Sequence, residues 1–126
     1  MKAPSESQEA KNLAVYLNAL VQYKKIICYT KTAQETYSTS WGAKMRQKAE
    51  GVQKGIPDYV IVSRYKILFI ELKKVKGVRG GNNGSVISPE QQLWIDSINN
   101  LNSKEVFATV AHGADEAVKF IESHIK

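Results

Sequence analysis

The chain has 126 residues, which suits a single domain spanning residues 1–126 and leaves no room for two full cores. Hydrophobic residues at 43% and charged residues at 24% exclude disorder as the main state, and no apolar run nears the roughly 18 residues of a transmembrane helix. Eighteen Lys and Arg against twelve Asp and Glu give a net charge of +6 and a pI near 9.4, an excess that attracts polyanions, of which nucleic acid is the commonest in a cell.

The first residues, Met1 to Glu6, carry no apolar stretch of the kind a secretory leader needs. Ser5-Glu6-Ser7-Gln8 reads as a capping box, with Ser5 as N-cap and Gln8 at N3. Ala10, Leu13, Leu17, Leu20 and Val21 then recur at helical spacing, which predicts an amphipathic helix over residues 6–22. Ile26 to Thr30 is β-branched and aromatic and predicts a strand. Within it, Cys28 is the single cysteine, so there is no internal disulfide and no thiolate zinc cluster. A reducing, cytoplasmic setting fits, and Cys28 is expected to be a small buried hydrophobe.

Residues 31–40 are polar and predict a loop, and Trp41 to Glu50 predict a short helix stopped by Gly51. Trp41 is expected to pack in the core rather than stack on a base. Tyr59–Val62 and Ile67–Leu72 are continuous apolar runs, expected to be strands covered on both faces. The Ser63–Lys66 linker is short enough for a hairpin. The glycine-rich stretch 77–85 predicts a flexible loop without the following Gly-Lys-Ser/Thr of a nucleotide-binding loop.

Ser88-Pro89-Glu90-Gln91 opens another helix, with Ser88 as N-cap and Pro89 at N1, and Gln91, Trp94, Ile95, Ile98 and Leu101 along one face. Val106–Val110 predicts the last strand, and Ala114–His124 a closing helix. His112 and His124 have no ligand partner at metal spacing, and His124 is expected at the surface. Helices flanking a mixed sheet make the fold α/β.

Two carboxylates stand at the ends of apolar strands: Asp58 before Tyr59, and Glu71 within Ile67–Leu72. Burying a charge costs several kcal/mol unless it is paired or bound to metal, which is on the order of a domain's whole stability. Glu71 and Lys73, two apart, project from one face of a strand. A hairpin centred between residues 64 and 66 pairs positions summing to about 129 to 131, which sets Asp58 opposite Glu71 to Lys73 with Cβ atoms about 5 Å apart. The three side chains can converge on one point. Two carboxylates that close repel unless a cation joins them, and oxygen ligands without His or Cys favour Mg²⁺ or Mn²⁺ over zinc. A lysine beside such a metal can orient a water or balance charge on a phosphate. These parts suit metal-assisted hydrolysis of a phosphodiester.

Gly55-Ile56-Pro57-Asp58 followed by Glu71-Leu72-Lys73 resembles the PD-(D/E)XK nuclease signature. The finer resemblance is to the VRR-NUC family, the virus-type replication and repair nuclease domain. It is supported by Glu6 in the first helix, by Gly51 and Gly55, and by Ser88-Pro89-Glu90-Gln91 followed by Trp94. It spans roughly residues 5–122. The resemblance implies a restriction-endonuclease-like core of αβββαβ order and divalent-metal-dependent DNA cleavage. It implies Asp58, Glu71 and Lys73 as the catalytic centre, a backbone carbonyl near Leu72 as a further metal ligand, and auxiliary roles for Glu6 and Gln91. It also implies a bacterial or phage protein that acts on branched DNA as a homodimer. The long loop 77–85, Asn102-Ser103-Lys104 before the last strand, and residues 31–40 depart from the family pattern.

Structural readings stand beside these. Pro-Asp is ordinary turn chemistry, Glu71 and Lys73 could pair on an exposed edge strand, and Glu6 at N1 favours the helix dipole whatever else it does. Gln91 at N3 of a capping box needs no other explanation, though the face it shares with Trp94 and Ile95 lets it look inward. Lys74, Lys76 and Arg79, with Lys54 in the turn before Asp58, are candidate phosphate contacts or a solvated face. The alternative function is a non-catalytic DNA-binding module on the same fold. Intact Asp58, Glu71 and Lys73 argue against it, because two carboxylates in the groove repel DNA.

Overall fold

The computed structural model describes residues 4–32, 40–75 and 86–126. In chain order the elements are α1 (Glu6–Gln22), β1 (Cys28–Lys31), α2 (Trp41–Ala49), β2 (Tyr59–Val62), β3 (Ile67–Lys73), α3 (Pro89–Asn99), β4 (Val106–His112) and α4 (Ala114–Ile125). The strands form one sheet in the order β1-β2-β3-β4. The first three are antiparallel, and β4 returns through α3 to lie parallel to β3, as a crossover helix permits. The fold is the expected α/β one, a mixed sheet flanked by helices. No helix among the described residues is long and apolar enough to cross a membrane.

Strand alternation divides the core. Leu68, Ile70 and Leu72 of β3 join Tyr59 and Ile61 of β2, Leu13 and Leu17 of α1, and Ala117 and Ile121 of α4 in the larger cluster. Phe69 lies against the smaller cluster that α3 makes, with Ile95, Ile98 and Ala108. Residues two apart share a face, so Glu71 and Lys73 lie on the Phe69 side, toward α3. That single parity argument places the charged pair under the helix that carries Gln91.

Both caps read from the sequence form. Ser5 Oγ accepts from Gln8 N at 3.0 Å, while the Gln8 amide donates to Asn12 rather than closing the box. The box at Ser88 and Gln91 closes in both directions. α4 lacks a side-chain cap of its own. Glu9, buried in the first helix, accepts from Ala114 N at 3.0 Å and satisfies that helix end from across the fold.

Several expectations are corrected. The first strand runs over 28–31 rather than 26–30. Lys24 in a left-handed conformation and the Lys25 N–H bonded to the Leu20 carbonyl hold the approach as a turn. Pairing with β2 then sets the bounds, from Cys28 opposite Val62 to Lys31 opposite Tyr59. Cys28 is exposed, because β1 is an edge strand open on its outer face. The strands are not covered on both faces throughout: β2 alternates buried and half-buried residues. Trp41 is 77% exposed, because α2 buries none of its residues. Leu101 lies past the end of α3 and is exposed. His124 is not a plain surface residue, since its ring sits 4.3 Å from Phe107 and 4.7 Å from Phe120 between centroids. The loops expected at 31–40 and 77–85 lie largely outside the described residues.

Candidate active site

The β2–β3 hairpin builds the centre. Ser63 closes its turn, with its backbone N–H donating to the Lys66 carbonyl at 2.8 Å and its hydroxyl accepting from Lys66 N at 3.1 Å. That turn fixes Tyr59 opposite Ile70. Asp58, one residue beyond the paired end, therefore meets Glu71 and Leu72. Its Oδ2 accepts from Leu72 N at 2.9 Å, so the carboxylate takes the place of a strand partner. β1 holds the same corner from the other side: Thr32 N donates to the Asp58 carbonyl at 2.7 Å, and the Thr32 hydroxyl to the Pro57 carbonyl at 2.9 Å.

Glu71 is 2% exposed. Its Oε2 accepts from the Gln91 amide at 2.9 Å and faces the Lys73 ammonium at 3.4 Å. Its Oε1 is buried with no hydrogen-bond partner. Burial pushes the Glu71 carboxyl up from its ordinary value to about 7, and the neighbouring Asp58 carboxyl adds to the rise. Burial also raises Asp58, against the opposing pull of the Leu72 N–H. Each of the two carboxyls acts on the other. A deprotonated pair here is like charge against like charge in a poorly solvated place.

The approach to Asp58 is fitted to α3. Gly55 has φ +95°, and a Cβ on it would lie 2.5 Å from the backbone of Glu90. Only glycine has the left-handed freedom and the absent side chain this contact needs. Trp94 donates its indole N–H to the Lys54 carbonyl at 3.2 Å in the same contact. The glycine and the tryptophan thus set the distance between the strand carrying Asp58 and the helix carrying Gln91.

Asp58, Glu71, Leu72, Lys73, Gln91 and Glu6 border one cavity of about 350 Å³. The sequence-read centre is therefore brought together, and Gln91 holds both of its readings at once: its Oε1 accepts from Ser88 N at 2.9 Å while its Nε2 reaches Glu71. Glu6 reaches the cavity from the start of α1, and its charge acts on Asp58. Among the described residues, however, no group of three His, Cys, Asp or Glu side chains closes into a metal cluster. Glu6 is thus at the cavity without completing a three-carboxylate set. Lys54 lies in a separate cleft with Lys44, Lys48 and Glu90, Lys74 is half-buried just past β3, and Lys76 and Arg79 lie outside the described residues. Sequence reasoning missed Lys31, which borders the cavity and lowers the Asp58 carboxyl. It also missed Thr32; the signal for both was the strand pairing of β1 with β2.

A divalent cation fits this donor set. An orphaned, buried carboxylate oxygen beside a second carboxyl is what a hard cation satisfies. Two side-chain donors would leave backbone oxygen and water to complete the coordination of an ion such as Mg²⁺, which keeps several waters.

The VRR-NUC domain family matches residues 7–115. The chain is also similar to a solved structure described as a VRR-NUC domain protein, with a TM-score of 0.69 at 21% identity, covering 99% of this chain and 91% of that one. At that identity the likeness bears on the fold. No curated protein matches the chain.

Proposed function

The chain belongs to the VRR-NUC family, a nuclease-type domain, and from that premise we propose that it is a Mg²⁺- or Mn²⁺-dependent endodeoxyribonuclease selective for branched DNA. The observation that carries this reading is the Glu71 carboxylate, buried and half satisfied. Lys73 and Gln91 hold one oxygen, and the other is left without a partner beside Asp58. A purely structural glutamate has no reason to keep an unpaired oxygen in the interior.

Asp58, the free oxygen of Glu71 and the Leu72 carbonyl would hold the cation. When bound, that cation supplies Lewis-acid polarisation of the phosphodiester and a more acidic water. Lys73 places a positive charge 3.4 Å from Glu71 Oε2, where it can orient the attacking water or balance charge gathering on the phosphate. Gln91 fixes the rotamer of Glu71 by its amide, and its own position is set by the α3 cap. Glu6, at the cavity's border, would act on the site through water or through its field.

Junction selectivity rests on symmetry. One centre cuts one strand at a time, whereas a four-way junction is nearly two-fold symmetric and needs two cuts. A C₂ homodimer would set two centres symmetrically, so we propose a dimer that makes paired nicks, in the cytoplasm of a bacterial or phage-infected cell. The test is cleavage of end-labelled four-way junctions and linear duplexes with Mg²⁺, Mn²⁺, Ca²⁺ or excess EDTA, with sedimentation of the protein alone and with junction. Expected are paired nicks with Mg²⁺ or Mn²⁺ and none with Ca²⁺ or EDTA, from a dimer. Cleavage in EDTA would overturn the metal dependence. Equal cutting of duplex and junction, or a monomer in both states, would overturn the substrate and assembly parts alone.

A further inference from the structure

The catalytic cavity does not end at Asp58. A second groove of about 630 Å³ runs between α1 and the edge strand β1, and the two spaces share Ser7, Ala10, Lys31 and Tyr59 along their borders. The floor on the helix side is low because Ala10 and Ala14 present small side chains. Among the described residues, the basic side chains on the groove are Lys11 from α1 and Lys31 from β1, and no Asp or Glu lines it. At the far end the Tyr29 hydroxyl donates to Asn18 Oδ1 at 2.6 Å and ties strand to helix.

We propose that this α1–β1 groove is a phosphate-binding extension of the catalytic cavity, with Lys31 contacting the phosphate next to the one cut and Lys11 the phosphate beyond it. The inference rests on the nuclease reading for what occupies the cavity, and it adds the path by which the cut strand leaves. The groove is continuous with the cavity and carries the charge a polyanion needs. A polyanion whose reacting phosphate lies at Asp58 and Glu71 must meet like charge there, so its neighbouring phosphates need compensating cations close by. Lys31 stands where the two spaces join, opposite Tyr59 in the β1–β2 ladder and thus one residue from Asp58. Lys11 faces the same groove from the α1 wall. Charged side chains that face an open groove contribute to affinity through phosphate contacts with a definite salt dependence.

The test couples protein to DNA. Lys31→Gln and Lys11→Gln are made singly and together, with Lys31→Arg as the conservative variant, and circular dichroism confirms the fold. Binding to a fluorescein-labelled four-way junction is measured in EDTA across a salt series. It is then repeated with junctions carrying one neutral methylphosphonate at each position around the cut. Each Gln variant should lower the salt slope by about one, and Lys31→Arg should restore it. One methylphosphonate position should weaken binding by wild type and leave Lys31→Gln unaffected, with an adjacent position doing the same for Lys11→Gln. Unchanged slopes, or methylphosphonate effects that add to both variants at every position, would overturn the proposal. The failures separate cleanly. Coupling in EDTA from a protein that cleaves nothing even with Mg²⁺ or Mn²⁺ supplied would keep the groove and remove the nuclease reading. Metal-dependent cutting without coupling would do the reverse.

Discussion

The β2–β3 hairpin and helix α2 carry charge in opposite ways. In the hairpin, Glu71 and Lys73 are buried, 2% and 8% exposed, and each is tied to a named partner. In α2, Lys44, Arg46 and Lys48 occupy a helix that buries no residue, alongside a Trp41 that is 77% exposed. Water screens the second set and costs little, whereas the first is maintained against a desolvation penalty. The charges at Glu71 and Lys73 are therefore held at a cost in stability, and those on α2 are not.

The sharpest way to break the comparison is to remove the interior charges. Glu71→Gln and Asp58→Asn should abolish cleavage, and Lys73→Ala should lower it by about 10²–10⁴-fold, with far-UV circular dichroism unchanged. Asparagine at 58 is preferred to alanine because it still offers an oxygen to the Leu72 N–H. Full activity in Glu71→Gln would remove the site assignment. Gln91→Ala should have a smaller effect, about 10–100-fold on the metal concentration needed for half-maximal cleavage, since it holds Glu71 rather than the substrate. It should also cost about 1 kcal/mol through the lost capping box. An unchanged metal midpoint would return Gln91 to its capping role alone.

How far the sequence carries this argument differs between the same two regions. Glu71 stood out because a carboxylate interrupts an apolar run, and hairpin arithmetic brought Asp58 to it; Tyr59 opposite Ile70 lies within the expected register. The caps at Ser5 and Ser88 were legible because they are local chemistry. Lys31 and Thr32 were not, since they reach Asp58 through a strand pairing that local pattern does not encode. Glu9 was hidden for the same reason: its partner, Ala114, is far along the chain. The misplaced burial of Trp41 and Cys28 has another cause. Hydrophobicity predicts what can be buried, but an edge strand and an unpacked helix offer nothing to bury against.

Gly55→Ala tests the geometry that joins strand to helix. The new Cβ meets Glu90 backbone at 2.5 Å and the φ of +95° is unfavourable for alanine. A loss of about 1–3 kcal/mol in urea unfolding is expected, with reduced cleavage because Asp58 and Gln91 separate. Normal stability would show that the loop shifts without strain.

A pH series tests the interior charge without any substrate. Glu71 has its carboxyl at about 7 in the fold against an ordinary 4.5. A raised carboxyl value means that the folded state binds more protons than the unfolded state between those two values. Stability of the metal-free protein should therefore be highest below about pH 4.5, as far as this group is concerned, and should fall as pH rises toward about 7. Asp58 is raised as well and adds in the same direction. Glu71→Gln should flatten the fall, and saturating Mg²⁺ should oppose it, because metal binds the ionised pair. A wild-type curve that rises through this window, unaltered in Glu71→Gln, would contradict the burial argument.

The smallest effect belongs to α2, and its smallness is the point. Trp41→Ala removes the largest side chain of the helix, yet the side chain is 77% exposed and the helix holds no buried residue. A tryptophan taken from a core costs about 3–5 kcal/mol, whereas an exposed substitution without special contacts stays within about 0.5 kcal/mol. The two outcomes are far enough apart for a single urea melt to separate them. The expected result is a midpoint indistinguishable from wild type, with near-ultraviolet circular dichroism changed only by loss of the indole. A loss of several kcal/mol would mean that Trp41 has a buried partner after all, and the contrast between an interior charge site and an unpacked helix would then fail on the helix side.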